Sequence, residues 1–435
     1  MTRGTRLNVP VRVVDGDARY FAGRRRQPVP VGIKLNVAAD AINSKSNGTL
    51  TGGTAKYNHL ITRTSYGLQL VFTNWVSGAS NTEMDGWNDI VVGAALEVGG
   101  SIIPVTFAGQ KRVTIQANGM VISDPLGIDV AKGATVSSRT FVQVPSGQFF
   151  PRSTVPLQSS GEGNNYGATT GADLTLPGSA SLTGVLTGGS YTYGPSALLG
   201  LVADPEKPVV AIIGDSIANG TGETSAAAGG FIQRALNDNY SFQKVAFPGK
   251  ALLFGWVAAN AVNRYRRVGL LARCGITHAI TDYTVNSLAT TTIQAHAVTA
   301  WVSMTRIAAQ GVGATTLTPQ TTSTDAWATT VNQTVATPAN ETRRVAFNTW
   351  LRDGAPVSSA LAPVAPGTTS AGTIRAGQAG HLLKGYFEAA DLAEAARNSG
   401  IWKAGNTSDG TYPNATGHPA IAPCIDATIF GPVSV

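Results

Sequence analysis

Val209-Val210-Ala211-Ile212-Ile213 is a run of five apolar, mostly β-forming residues with no polar alternation, and it breaks at once into Gly214-Asp215-Ser216. Such a run suits a strand of a parallel sheet covered on both faces. The glycine permits the tight turn that presents a serine hydroxyl at the sheet's carboxyl edge, where open α/β sheets place their ligands. Ser216 is thereby the candidate nucleophile. A phosphate-cradling loop would need Gly-Lys-Ser/Thr, which is absent, and Gly220-Thr221-Gly222 lacks the dinucleotide spacing.

The flanking sequence sets the fold class. After Ser216, helical patterns (Phe231 to Asn237, Leu252 to Leu271, Ile293 to Gln310, Glu341 to Arg352, Tyr386 to Asn398) alternate with strand patterns (Val245 to Phe247, His278 to Thr281, Ala314 to Thr318). That alternation predicts a parallel sheet with helices on both faces over residues 205–435. The polar stretch from Thr315 to Pro338 reads as a long loop at the sheet's carboxyl edge, a substrate-facing lid with Trp327 available for stacking.

Residues 51–204 follow another rule. Short runs such as Leu68 to Phe72, Ile90 to Val92, Ile102 to Phe107 and Val113 to Ile115 are bounded by turn residues, and Asn118-Gly119 reads as a hairpin turn. This predicts an all-β, jelly-roll-like sandwich. Trp75 and Trp87 are expected in its core, with stacking on a pyranose as the alternative. The Gly-, Ser- and Thr-rich residues from 155 to 200 suggest loops and two more strands, and Asp204-Pro205-Glu206-Lys207-Pro208 marks the domain boundary. Residues 1–50, with Arg3, Arg6, Arg24, Arg25, Arg26 and Lys34, read as a basic arm that docks on a neighbour or remains a loose leader.

Only 13% of the 435 residues are charged, and 50 glycines favour strands and turns over long charged helices, as in extracellular or particle-borne proteins. The net charge is +7, but the basic residues form no stripe interleaved with aromatics, so nucleic acid is not an expected partner. No stretch reaches membrane-span length, and no apolar region behind Met1-Thr2-Arg3 encodes a secretory leader. Cys274 and Cys424 are expected as buried free thiols. Five scattered histidines offer no metal spacing, and neither a metal nor another cofactor is expected.

Four blocks occur in order: Gly214-Asp215-Ser216-Ile217, Phe247-Pro248-Gly249, Thr284-Val285-Asn286-Ser287 and Ser408-Asp409-Gly410-Thr411. Together they resemble the SGNH (GDSL-type) hydrolases over about residues 205–430, and the upstream sandwich resembles the β-domain of some bacterial and phage members. The resemblance implies Ser216 as nucleophile, an oxyanion hole from the Ser216 and Gly249 backbone N–H groups and the Asn286 amide, and Asp409 as the orienting carboxylate. Asp215 would hold the turn.

This chain departs from the family at the base. Where the pattern has Asp-x-x-His-Pro, the sequence reads Asp409-Gly410-Thr411-Tyr412-Pro413. A phenol with a pKa of about 10 is ionised in roughly one molecule in a thousand at pH 7, so Tyr412 is a poor base. His418 is the candidate rescue base; His59, His278, His296 and His381 read as structural, with His296 and His381 on helices.

Two functions are consistent with these residues. One is a virion- or surface-associated structural or glycan-binding protein on an esterase scaffold, reaching the outside through lysis or particle assembly. Its partners would be a polysaccharide or cell-surface glycan, virion neighbours through the arm, and further copies of itself. The other is a carbohydrate O-acyl (acetyl) esterase using Ser216, Asp409 and a non-standard base such as His418.

Overall fold

The computed structural model describes residues 27–33, 45–77, 83–152, 161–167, 169–187, 192–223, 229–236, 239–249, 251–252, 256, 265–283 and 285–433. The arginines of residues 1–26, Lys34 and the middle of the Leu252 to Leu271 pattern lie outside the described residues.

The chain combines antiparallel sheets with a parallel α/β layer. In one antiparallel sheet, Ser65–Thr73 pairs with Ala197–Val202, Met120–Ile122 and Leu126–Val130, and Val29–Pro30 adds at the edge. In the other, Gly52–Ile61, Thr135–Gln143 and Ile90–Val98 form the centre. Apolar residues of both sheets, among them Tyr57, Leu68, Phe72, Val92 and Val136, share one buried cluster with Trp75, which lies in a separate ribbon of Trp75–Ser77 and Glu83–Asp85. Trp75 is a core residue, 1% exposed, whereas Trp87 is only half-buried.

Two expectations fail here. The Asn118-Gly119 turn does form, with the Gly119 N–H donating to Gln116 at 2.8 Å, but it joins no hairpin. Arg112–Ile115 pairs with Ile90–Val98 and Met120–Ile122 with Ser65–Thr73, so the turn carries the chain from one sheet to the other. The local bond is the same either way, and the longer partner strands decide the pairing. Residues 27–33 also belong to the sheets rather than to a free arm, since Gly32–Ile33 pairs with Gly52–Ile61.

The α/β layer contains β1 (Val209–Gly214), β2 (Ser241–Ala246), β3 (His278–Asp282), β4 (Gly311–Thr315) and β5 (Leu383–Phe387), all parallel in the order β2-β1-β3-β4-β5. Its helices are α1 (Ser216–Asn219), α2 (Phe231–Leu236), α3 (Tyr265–Arg273), α4 (Ile293–Thr305), α5 (Pro338–Arg352), α6 (Ala389–Ala393) and α7 (Gly417–Ile421). Alternation along β1 assigns the two faces. Val210 and Ile212 pack with Ile217, Phe231, Ala389 and Ile421, while Ala211 and Ile213 pack with Leu270, Trp301 and Trp350. Both faces of β1 are therefore apolar and covered, which explains its unbroken hydrophobic run.

β5 was not anticipated. Leu383–Phe387 pairs with β4, and the expected helix from Tyr386 is reduced to α6. Gly313 makes room, because a Cβ there would stand 2.4 Å from the Phe387 ring. Thr315 to Pro338 is not a plain loop: Thr321–Ser323 and Gln333–Val335 form a two-stranded ribbon. His381 lies outside any helix and is tied to the backbone at Ala355 and Leu383.

The sandwich and the α/β layer share the apolar cluster that holds Val31 and Leu198 together with Ala211 and Val245. Buried ions reinforce the junction. Glu83 accepts from the Arg267 side chain at 2.6 Å and from the backbone of Arg266 and Arg267, and both side chains of the Glu83–Arg267 pair are at most 1% exposed. Removing one partner leaves an uncompensated buried charge. Glu83→Ala is expected to cost about 3–5 kcal/mol in urea unfolding, whereas Met84→Ala, at a side chain 43% exposed, changes the midpoint little.

Candidate functional site

Ser216 opens α1 at the carboxyl end of β1. Asp215 caps the helix, its Oδ1 accepting from the Ile217 N–H at 3.0 Å, and Gly220 closes it with φ at +96°. The cap explains why an aspartate precedes the serine: it satisfies a backbone donor that the strand-to-helix break would otherwise leave free. The second block reaches the same edge. Phe247 donates to the Gly214 carbonyl at 3.0 Å, and Gly249, exposed at φ +74°, has an N–H without a partner among the described residues. From the third block, Asn286 Nδ2 donates to Asp215 Oδ2 at 3.2 Å.

The Ser216 side chain is shut in. It is 1% exposed, and its Oγ has no hydrogen-bond partner among the described residues. An imidazole held against this hydroxyl is the element a triad requires, and none is there.

His418 is committed elsewhere. Its Nδ1 receives the Phe231 N–H at 3.1 Å, and its Nε2 lies 3.0 Å from the Thr221 carbonyl. An amide N–H only donates, so Nδ1 carries the lone pair and Nε2 the proton. The ring is fully buried, and burial lowers its pKa. It is thus a neutral strut from α7 to α2 and to the loop after α1, with no free lone pair to act as base, and the rescue role expected for it fails for that reason. His59, His278, His296 and His381 are bonded to Ser138, Thr277, Thr292 and the Ala355 carbonyl respectively, so none of the five serves Ser216.

The last block does return to the first. A Cβ on Gly222 would stand 2.2 Å from the Pro413 carbonyl oxygen, so only glycine fits where the two segments meet. Asp409 is exposed, and its Oδ1 accepts from the N–H groups of Thr411 and Tyr412, each at 2.9 Å. It closes its own turn. Tyr412 is half-buried against the Phe231 and Ile421 cluster, and Thr407 Oγ1 donates to its carbonyl at 2.7 Å. Beside this turn sits the 321–335 ribbon. Thr321 donates to the Gly410 carbonyl at 2.9 Å, and the Trp327 carbonyl accepts from Gly405. Trp327 is half-buried with φ at +62°, its indole N–H donating to Thr321 Oγ1 at 2.9 Å. It braces the ribbon rather than standing free.

Sequence reasoning missed Asp282. It ends β3 opposite Gly214, is fully buried, and takes a 2.6 Å hydrogen bond from Thr315 Oγ1 on Oδ1, while Oδ2 has no partner. Burial, followed by the neighbouring Asp215 carboxylate, pushes its pKa up to about 8. An aspartate closing the fully buried strand His278–Asp282 is the signal that marks it.

No family model matches the chain, and no curated protein matches it. Among solved structures it is similar to a family two carbohydrate esterase from Clostridium thermocellum in complex with cellohexaose, at 12% identity over 67% of this chain and 78% of that one, with a TM-score of 0.24. It is also similar to a salicylyl-acyltransferase from a tetracycline biosynthetic pathway (12% identity, 82% and 79% covered, TM-score 0.28). An acetyl xylan esterase from the rumen bacterium Butyrivibrio proteoclasticus shows 12% identity over 67% and 79%, with a TM-score of 0.23. The reading of the site rests on its own geometry.

The raised acid has a sign in stability. Aspartate in an unfolded chain ionises near 3.9, so between about pH 4 and about pH 8 the folded chain holds the extra proton and stability falls as pH rises. Asp282→Asn retains the acceptor for Thr315 and removes the ionisation. The margin of its urea midpoint over wild type is expected to be small at about pH 4 and to widen steadily up to about pH 8; parallel curves would refute the assignment.

Proposed function

We propose that this chain is a surface- or virion-associated, glycan-binding structural protein, built from a jelly-roll-like sandwich and an SGNH (GDSL-type) hydrolase-like α/β domain whose serine no longer turns over esters. The observation that carries the reading is the state of Ser216 Oγ, buried and unpartnered, with both nitrogens of His418 held by backbone groups. The position three residues after Asp409 holds Tyr412, whose backbone rather than whose ring meets that carboxylate. General base catalysis contributes roughly 10²–10⁴-fold, so a serine without a base retains little of the reaction.

The active-esterase reading draws support from the exposed Gly249, which follows β2 at the sheet's carboxyl edge, and from the Asn286 amide that bonds Asp215. Oxyanion donors alone leave a residual acceleration over water, not an efficient enzyme.

Hydrolysis of p-nitrophenyl acetate decides between the two. The parent and Ser216→Ala are expected to give equal rates, and serine-dependent turnover in the parent would overturn the silent-serine reading. Turnover that arises only with Tyr412→His would locate the loss at that position. Retention of the whole protein on insoluble polysaccharide, against a column of the bare matrix, tests the glycan half separately.

A further inference from the structure

Two buried polar atoms at the carboxyl edge of the sheet lack a hydrogen-bond partner among the described residues. They are Ser216 Oγ, on the first residue of α1, and Asp282 Oδ2, on the last residue of β3. Both residues are at most 1% exposed. A buried polar atom without a partner is destabilising relative to one that water reaches, so both atoms gain a partner if this edge opens.

Asp215 links the two residues. Its N–H donates to the Asp282 carbonyl at 3.2 Å, its Oδ1 accepts from the Ile217 N–H at 3.0 Å, and its Oδ2 accepts from Asn286 Nδ2 at 3.2 Å. The four-residue α1 hangs between two glycines. A Cβ on Gly214 would stand 2.2 Å from the Asp282 carbonyl oxygen, and Gly220, at φ +96°, is pressed as closely on Gly229. A short element between such glycines can swing on its ends while the strand before it stays in place.

The groups around Asp282 favour its neutral form. On the side of β1 stands the Asp215 carboxylate, and on β4 only the Thr315 hydroxyl donates to it. Beyond β5, Glu388 is taken up by Arg352 at 2.7 Å. The Cys424 thiol after α7 is pushed up by burial and then by the Asp282 and Glu388 carboxylates, so it stays protonated. On β3 itself His278 stands at the far end, and burial pushes the adjoining Tyr283 up to about 12. Arg267 bears on Tyr283, but Glu83 already balances its charge.

We propose that the serine turn is a two-state element, closed with Ser216 buried and open with it hydrated, and that the proton Asp282 carries beside Asp215 holds it closed. Losing that proton to solvent sets two carboxylates against each other across the ends of β1 and β3. Parting them breaks the Asp215-to-Asp282 contact and lets water reach Ser216 Oγ and Asp282 Oδ2. The inference goes beyond the functional reading: it concerns access to the hydroxyl and holds whether or not Ser216 reacts. A hydrated aspartic acid ionises at about 3.9 and the closed one at about 8, so the closed form binds the proton more tightly. The opening constant therefore rises with pH, about tenfold per unit from pH 6 to pH 8, and levels off above.

Hydrogen–deuterium exchange of the full chain, read on peptides covering 209–220 with labelling times scaled to the intrinsic rate at each pH, tests the latch. Protection of this segment is expected to fall about tenfold per pH unit between pH 6 and pH 8. The central sandwich strand Thr135–Gln143 should keep its protection over the same range. Asp282→Asn cannot ionise, so its 209–220 segment should be equally protected at pH 6 and pH 9, and its thermal midpoint reports whether it has folded. If it does not fold, the wild-type profiles of the two segments decide alone. Protection over 209–220 that is independent of pH, that falls equally in Asp282→Asn, or that falls in step with Thr135–Gln143 overturns the latch.

Discussion

The close approach of β1 to β3 at their carboxyl ends governs the region around Ser216. At Gly214 a Cβ would stand 2.2 Å from the Asp282 carbonyl oxygen and 2.5 Å from the Ala218 Cβ, so strand, neighbouring strand and following helix converge on a point with no room for a side chain. The Asp215 N–H donates to the same Asp282 carbonyl at 3.2 Å, which places two carboxyl groups side by side in the interior. Like charges so placed and so desolvated do not both ionise readily, and the pair keeps a proton into the neutral range. Asp215 has a cap and an amide to stabilise its charge; Asp282 has a single hydroxyl donor and one orphaned oxygen. The asymmetry of partners explains why the proton resides on Asp282.

That arrangement holds the nucleophile turn without an imidazole. Cap, glycine approach and the Asn286 contact are all made through Asp215 and the backbone, and none depends on Ser216 Oγ. The His418 strut and the Asp409 turn likewise tie the last block down through backbone groups. A turn stabilised in this way does not rely on the Ser216 hydroxyl for its shape.

The layer order and the serine turn were legible because they follow from short-range rules: an apolar run with no alternation, then glycine, then a helix cap. What was not legible depended on partners distant in sequence. β5 is an example, since Leu383–Phe387 becomes a strand only because Gly313 leaves space for Phe387. The Asn118-Gly119 turn is another, its residues being right for a hairpin while the flanking strands found longer ladders in different sheets. His418 was misjudged for a related reason. A histidine five residues past a Pro413 looks available in the sequence, but whether its nitrogens are free is decided by Phe231 and Thr221, nearly two hundred residues earlier. Asp282 escaped notice because a single acid at the end of a strand means little until the fold buries it beside another.

The junction between the two parts of the molecule bears on what it does. Arg63 bonds Asp204 in the boundary segment and Ser241 at the start of β2, Gln243 donates to the Ser196 carbonyl at 3.0 Å, and Glu83 reaches α3. With an apolar cluster running through both layers, these contacts fix the sandwich against the sheet instead of leaving it on a linker. A tethered sugar-binding module raises local substrate concentration through a loose connection, and catalysis benefits from that freedom. A module locked to its neighbour by buried ions has no such freedom. The same junction that stabilises the fold thus sets the orientation of the sandwich against the sheet.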